Sequence, residues 1–291
     1  MLKEKKLPRI QSLGEITEGI IKDISLRSSE DNHKYSTGFS EIDNVISAIR
    51  KNRLYVIGGR SSIGKTAFMC NLAFNLSDRH CKVMFFSLEM SKEEIAQRLV
   101  CMGQFIKYGL FELDHLSNEL KEGVDKFNKM TTDGNMAIID SFGYNFDDFS
   151  EFIEKLNPLP DVIFIDHIQM SSSVGYRSKY EAMSEYIRKL KELAITKNIA
   201  IVVASQINRT AGEDKPKISQ LKESGTIEET ADVIFLCHWP YLYGASEDKH
   251  EYYILIGKNR FGRTKSQDGV RLCFEPVYYK FKDYKAKNEI I

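Results

Sequence analysis

One short run constrains this chain more than any other feature of its sequence. Residues 59–66 read GRSSIGKT and satisfy every fixed position of the G-x-x-x-x-G-K-[ST] pattern of a phosphate-binding loop. The apolar, β-branched run at 54–57 predicts a buried strand before the loop, and residues 67–74 predict a helix after it. Because strand, glycine loop and helix follow in the order that phosphate binding needs, we interpret the run as a nucleotide site. The alternative is a glycine-rich turn that matches by chance.

The residues of this loop have distinct expected roles. Gly59 and Gly64 let the backbone turn sharply, so that successive N–H groups and the helix N-terminus point at negative charge. We expect Lys65 to reach the outer phosphates and the Thr66 hydroxyl to bind Mg²⁺. The nucleotide-binding residues predicted from the loop are Gly59, Arg60, Ser61, Ser62, Ile63, Gly64, Lys65 and Thr66.

Further strands alternate with helical segments along the chain. Buried strands are predicted at 82–88, 137–140, 162–166, 199–205 and 233–237, and an antiparallel pair at 252–256 and 270–274. This order predicts an α/β fold with a mainly parallel twisted sheet, flanking helices and antiparallel edge strands near the C-terminus. Ligands of such sheets bind at the carboxyl ends of the strands, where Glu89, Asp166 and Gln206 fall.

Composition limits the class of protein. The 291 residues are 42% apolar and 28% charged, which suits one large domain plus an arm, and no apolar stretch approaches the ~20 residues of a membrane span. The formal net charge is zero, so any nucleic-acid binding must come from a local patch. The five cysteines show no metal-ligand spacing, and we expect reduced thiols in a cytoplasmic protein without a structural metal.

The first 35 residues are more polar than the rest and are predicted to form an arm, with the main domain at 36–291. Leu13, Ile16, Ile20 and Ile24 fall on one stripe of a candidate helix. Two interpretations stay open for this helix: it covers its own domain, or it docks in a groove of a neighbouring subunit.

Several runs, in order, resemble one family over residues 36–282. They are Thr37-Gly38-Phe39, the phosphate loop, Phe85-Phe86-Ser87-Leu88-Glu89-Met90-Ser91, Ile165-Asp166-His167-Ile168-Gln169-Met170, Ser205-Gln206-Ile207-Asn208-Arg209, Lys222-Glu223-Ser224-Gly225-Thr226-Ile227-Glu228 and Ile256-Gly257-Lys258-Asn259-Arg260. The chain resembles the RecA-fold motor domain of DnaB-type replicative helicases. The resemblance implies a RecA-like P-loop NTPase fold and an ATP-hydrolysing enzyme that translocates 5′ to 3′ on single-stranded DNA and unwinds duplex.

The resemblance also implies catalytic roles in the nucleotide site. Glu89 matches the glutamate that polarises the attacking water, and Lys65 is the catalytic lysine of the loop. Asp166 matches the acid of the metal shell. Arg98 matches an arginine near the terminal phosphate; without the resemblance, a surface arginine on a helix would be the favoured interpretation.

Other matching residues imply a ring. Gln206 resembles the glutamine that senses the terminal phosphate, and Lys258 and Arg260 resemble a lysine and an arginine finger that reach the neighbouring subunit's nucleotide. The family is hexameric, so the resemblance implies a homo-oligomer, with primase and a helicase loader as further partners. The turn after Arg260 is longer than the family's, and Arg263 is an alternative finger.

The expected DNA surface comes from loops and one short run. Lys222, Glu223 and Gly225 match positions that hold the backbone of single-stranded DNA. Arg209 lies in the loop 208–217, which with the loop 171–179 would line the ring centre; solvated loops are the alternative.

The chain departs from the family at two further points, and two other functions stay open. No helical N-terminal domain is matched, and His167 stands where a tyrosine is usual, which we interpret as packing. The alternatives are a RecA-fold recombination or regulatory ATPase that separates no strands, and a nucleotide-dependent replication adaptor. We expect a cytoplasmic protein of a bacterial or phage-infected cell.

Overall fold

The computed structural model describes residues 12–14, 17, 18, 21, 34–131, 134–140, 146–168, 178–207, 215–222 and 224–285. By its internal contacts the chain divides into residues 1–34 and 35–291. In the first unit, the described residues 13, 14, 17, 18 and 21 are helical, and Leu13 and Ile21 are exposed. Ile16, Ile20 and Ile24 of the predicted stripe lie outside the described residues.

The second unit is built on a nine-stranded sheet in the order β11-β10-β9-β8-β3-β7-β6-β4-β5. A separate pair, β1 and β2, forms a two-stranded sheet. The strands are β1 (Lys34–Tyr35), β2 (Ile49–Arg50), β3 (Leu54–Gly59), β4 (Val83–Ser87), β5 (Met136–Asp140), β6 (Val162–Asp166), β7 (Ala200–Gln206), β8 (Val233–His238), β9 (Glu251–Asn259), β10 (Lys265–Glu275) and β11 (Lys280–Asp283).

Helices cover both faces of the large sheet. They are α1 (Ser40–Ile46), α2 (Lys65–Ser77), α3 (Lys92–Gln104), α4 (Asn118–Met130), α5 (Phe146–Lys155), α6 (Lys179–Lys197) and α7 (Ser224–Thr230). Short 3₁₀ turns lie at Tyr108–Leu110, Ile218–Gln220, Pro240–Tyr243 and Pro276–Tyr278. No helix among the described residues combines the length and apolar character needed to cross a membrane.

Side chains alternate between the two faces, as the period of a strand requires. On β3, Tyr55 and Ile57 join a core that contains α1, α2 and α3, whereas Leu54 and Val56 join a second core that contains α5, α6 and α7. The central strands are buried on both faces, which is why they are continuous apolar runs in the sequence.

The strand directions confirm the predicted architecture. β8, β3, β7, β6, β4 and β5 are parallel, while β9 pairs antiparallel with β8 and β10, and β11 continues the antiparallel edge. All the predicted strands form, and the helix predicted after the phosphate loop is α2. The strands β1, β2 and β11 and the helices α5 and α7 were not predicted.

Candidate nucleotide site

The phosphate loop joins the end of β3 to the start of α2. Gly64 is the N-cap of α2 with φ of 99°, a conformation that glycine adopts without strain. At Gly59 an added Cβ would come within 2.8 Å of Ile63 Cγ2, so the tight turn also needs a residue without a side chain there. Tyr252 Oη donates a hydrogen bond of 2.9 Å to the Ile63 carbonyl and fixes the loop to β9.

Lys65 and Thr66 open α2 and face the end of β6. Lys65 is buried, and its Nζ donates to the Arg60 carbonyl at 2.7 Å, which folds the side chain back over the loop. Burial lowers the pKa of Lys65. The Thr66 hydroxyl donates to Asp166 Oδ2 at 2.5 Å.

The residues around Asp166 fit a divalent cation. Asp166 is buried, and burial raises the pKa of its carboxyl although Thr66 donates to it. The nearby charge of Lys65 also favours the ionised carboxylate but does not outweigh burial. Carboxylate and hydroxyl oxygens are the ligands that Mg²⁺ prefers. Thr66 and Asp166 are accordingly the residues that could hold the metal.

Strand register brings the three predicted rim residues to one edge of the sheet. Gly59 pairs with Gln206, and Ser87 pairs with Asp166, so the carboxyl ends of β3, β7, β4 and β6 are level. Glu89 follows β4 by two residues and is the most exposed of the three. The sheet therefore places Glu89, Asp166 and Gln206 beside the phosphate loop.

A cavity of about 550 Å³ lies over this edge. The chemically active side chains that line it are Lys65, Thr66, Glu89, Arg98, Asp166 and Gln206. The Ser91–Glu94 capping box starts α3, and α3 carries Arg98 into the cavity. Arg98 Cζ lies 4.9 Å from the centre of the Tyr279 ring, and its Nε is buried without an acceptor among the described residues. Trp239 and Tyr279 also line the cavity and give it aromatic surface.

Comparison with known proteins decides the family. Residues 35–283 match the DnaB-like helicase C-terminal domain. The chain belongs to this family. The replicative DNA helicase DnaC of Bacillus subtilis is 31% identical, a similarity that covers 86% of this chain and 57% of that protein.

Two solved structures resemble the DnaB-like fold of this chain over 95% of its length. One, described as an ATPase domain, matches with a TM-score of 0.83 at 25% identity and is covered completely. A DnaB-like replicative helicase described with its interactions with primase matches with a TM-score of 0.80 at 25% identity, and 68% of it is covered. These matches confirm the RecA-like ATPase fold. The chain spans about three fifths of the length of the curated relatives it matches.

The two residues that resemble the DnaB finger lie away from the cavity of their own chain. Arg260 Nη1 lies 3.3 Å from Asp232 Oδ1, and its Nη2 donates to the Glu229 carbonyl at 3.1 Å. Lys258 Nζ donates to the Glu228 carbonyl, and neither cation is among the residues that line the cavity. Asp232 is buried and also pairs with Lys191 at 2.5 Å. The geometry leaves both cations near one exposed end of β9.

Two of the four residues predicted to bind DNA are described. Lys222 Nζ donates to Gln206 Oε1 at 3.1 Å, so it lies beside the cavity. Gly225 lies in α7, and an added Cβ there would meet no atom within 4 Å. Arg209, Glu223 and most of the two predicted DNA loops lie outside the described residues.

His167 is a residue whose place in the site was missed in the sequence. We interpreted it as packing, yet its Nε2 lies 3.0 Å from Gln206 Nε2 and its Nδ1 lies 3.1 Å from Glu89 Oε2. The contact with Glu89 is short but lies outside hydrogen-bond geometry. Burial lowers the pKa of His167, against the opposing effect of Glu89. Its position directly after Asp166 was the only signal in the sequence.

Proposed function

We propose that this chain is the motor domain of a replicative DNA helicase, which hydrolyses ATP to move 5′ to 3′ along single-stranded DNA and unwind duplex. The proposal rests on a direct connection between the nucleotide cavity and the expected DNA surface. The cavity that holds Lys65, Thr66, Glu89 and Asp166 is bonded through Gln206 to Lys222, a residue on the expected DNA surface.

In the proposed reaction, each residue of the cavity acts on the phosphates or on water. Lys65 and the loop N–H groups bind the β- and γ-phosphates of ATP, and Arg98 adds positive charge on the α3 side. Glu89 accepts a proton from the attacking water. Thr66 and Asp166 would hold Mg²⁺, which when bound offsets the negative charge of the phosphates.

The cavity needs one more cation, and we propose that a neighbouring subunit supplies it. Arg260, with Lys258 beside it, is half-exposed at the end of β9 and so can face another chain. An arginine supplied in trans adds about 10³ to 10⁵ in rate to phosphoryl transfer. Donor and acceptor surfaces differ, so the contact is head-to-tail and closes into a ring. We propose a homohexamer on the basis of the family.

The DNA would run along the ring centre. We propose that Lys222 pairs with a phosphate, that the Gly225 N–H donates to the backbone, and that Glu223 and Arg209 complete the contact. Six copies of these groups produce a basic channel in a protein whose formal net charge is zero. We further propose the arm at 1–35 as a subunit linker, primase and a loader as partners, and the cytoplasm as the location.

The test measures ATPase rate against protein concentration, with and without single-stranded DNA, and unwinding of duplexes with a 5′ or a 3′ tail. The proposal predicts a rate per chain that rises with concentration, stimulation by DNA, and unwinding only from the 5′ tail. DNA stimulation without unwinding would favour a recombination or regulatory ATPase. A low ATPase rate that changes neither with DNA nor with protein concentration would favour the adaptor.

A further inference from the structure

Three close contacts run from Glu89 to Lys222, and the first of them lies outside hydrogen-bond geometry. Glu89 Oε2 lies 3.1 Å from His167 Nδ1, His167 Nε2 lies 3.0 Å from Gln206 Nε2, and Gln206 Oε1 lies 3.1 Å from Lys222 Nζ. The side chains come from the ends of β4, β6 and β7 and from the turn before α7. His167 is buried, so its ring is held between its two polar neighbours and shielded from water.

The chemistry of these groups fixes the direction of each hydrogen bond. A lysine ammonium only donates, so Gln206 must turn its amide oxygen to Lys222 and its NH₂ to His167. His167 Nε2 then accepts, and the ring carries its hydrogen on Nδ1, the atom that faces Glu89. The line therefore begins at a cation on the DNA side and ends at the Nδ1 hydrogen, which lies near the carboxylate but outside hydrogen-bond geometry.

The last contact is the one that can open and close. His167 Nδ1 is buried and makes no hydrogen bond within the described part of the chain, although Glu89 Oε2 is 3.1 Å away. The Glu89 side chain is 55% exposed and has room to rotate. A small rotation of Glu89 would complete a hydrogen bond to His167.

We infer that His167 is a positioning residue, which holds Glu89 back while Lys222 is bonded to Gln206 and releases it when a DNA phosphate takes Lys222. This inference rests on the proposed function, because it assigns Glu89 to the water and Lys222 to DNA. In the released state Gln206 loses its donor and turns, and His167 loses the partner that held its ring. Glu89 then rotates to the attacking water. His167 thereby makes ATP hydrolysis depend on DNA.

The variant His167→Phe removes both ring nitrogens and keeps an aromatic ring, slightly larger than that of histidine. We expect the ATPase kcat without DNA to rise and the stimulation by an oligo-dT strand to fall about threefold to tenfold, the effect of losing one hydrogen bond. The affinity for oligo-dT without nucleotide should stay at the wild-type value, because Lys222 is intact. His167→Gln, which keeps a polar atom near Nε2 but none at Nδ1, should show the same change.

His238→Phe is the matched control. His238 is also a buried histidine, but it ends β8 and stacks on Tyr243 at 6.2 Å between ring centroids. In His238→Phe, the ratio of the ATPase rates with and without oligo-dT should stay at the wild-type value. A packing role for His167 would instead slow the reaction with and without DNA in proportion.

The outcomes separate the inference from the function on which it rests. Suppose that DNA stimulates the wild-type ATPase. If both His167 variants then keep the wild-type stimulation ratio, or both have a lowered rate without DNA, the role of His167 alone is overturned. A wild type that oligo-dT does not stimulate overturns the proposed function and the inference with it. A raised basal rate with a reduced ratio in either variant, and a normal His238→Phe, supports the positioning role.

Discussion

Lys65 and Glu89 line the same cavity, but their loss should have different consequences. Lys65 is buried against the phosphate loop, whereas Glu89 reaches the cavity from the end of β4. Lys65→Ala should abolish nucleotide binding. Glu89→Gln keeps the shape of the side chain and should leave binding intact while turnover falls about 10²- to 10⁴-fold, the usual contribution of general base catalysis. Binding of a fluorescent ATP analogue and phosphate release measure the two effects, and wild-type turnover in both variants would remove both assignments.

Gly225 allows a test of DNA contact without damage to the fold. An added Cβ meets no atom within 4 Å, and alanine is favoured over glycine in a helix by roughly 0.5–1 kcal/mol. Gly225→Ala should therefore fold at least as stably as the wild type. Its affinity for single-stranded DNA should fall, because the methyl group obstructs the approach of a phosphate to the N–H. Anisotropy with a labelled oligonucleotide measures this affinity.

Gly109→Ala is the control for this prediction. Gly109 also has open space around it, but it lies in the 3₁₀ turn before α4, away from the expected DNA surface. This variant should keep both stability and DNA affinity. If Gly225→Ala binds DNA as well as Gly109→Ala does, the N–H of residue 225 makes no DNA contact.

The residues that were predictable from sequence are those whose signal is local. The loop pattern contains Lys65 and Thr66 within eight consecutive positions, so phosphate binding can be predicted from the sequence without knowledge of the fold. His167 was misread because Gln206 ends another strand and Glu89 follows a third, so that the three residues meet only when β4, β6 and β7 align. The pairing of Arg260 with Asp232 likewise needs the antiparallel contact of β9 with β8.

The helices and strands show the same division between local and long-range causes. The central strands were predictable because burial on both faces makes them continuous apolar runs. β11 was not, since Phe281 is its only apolar residue and its place depends on pairing with β10 and on a hydrogen bond of 2.9 Å from the Phe281 N–H to Asn71 Oδ1. In α5, Phe149 and Ile153 have helical spacing and are buried, a signal that was available but not used.

The start of β6 contains a stabilising ion pair. Lys51 Nζ lies 2.6 Å from Asp161 Oδ1, and the Lys82 N–H donates to Asp161 Oδ2 at 2.9 Å. Burial raises the pKa of Asp161, but these contacts outweigh burial and the pKa lies below its usual value. A carboxyl whose pKa is lowered by folding stabilises the folded state at pH values above about 3.9, the pKa of the carboxyl in the unfolded chain. This contribution is lost as pH falls through the pKa of the folded state.

Asp161→Asn should therefore lower the free energy of unfolding at pH 7 by about 1 kcal/mol. The free energy of unfolding of this variant should also decrease less between pH 5 and pH 3 than that of the wild type. Urea unfolding at each pH measures both quantities. The exposed Asp125 of α4 provides the control, and Asp125→Asn should follow the wild-type profile. An Asp161→Asn profile that runs parallel to the wild-type profile would show that the ion pair adds no pH-dependent stability.

The proposed assembly is a ring whose catalytic sites lie between subunits. A single chain brings together the phosphate loop, Asp166, Glu89 and Gln206, but Arg260 and Lys258 lie elsewhere. Under the proposed function, the second half of each site comes from the neighbouring chain. Sequence similarity indicated this division through the family, and the position of the two cations at the end of β9 supports it.

Mixing two inactive variants tests this division most directly. Arg260→Ala keeps Glu89, and Glu89→Gln keeps Arg260, so in an equimolar mixture about a quarter of randomly formed interfaces contain both intact groups. A mixture of Lys65→Ala with Glu89→Gln is the control, because both changes fall on the same side of an interface. We predict that ATPase activity reappears in the first mixture and stays absent in the second. No recovery of ATPase activity in the first mixture, at any ratio of the two variants, would contradict a catalytic site shared between subunits.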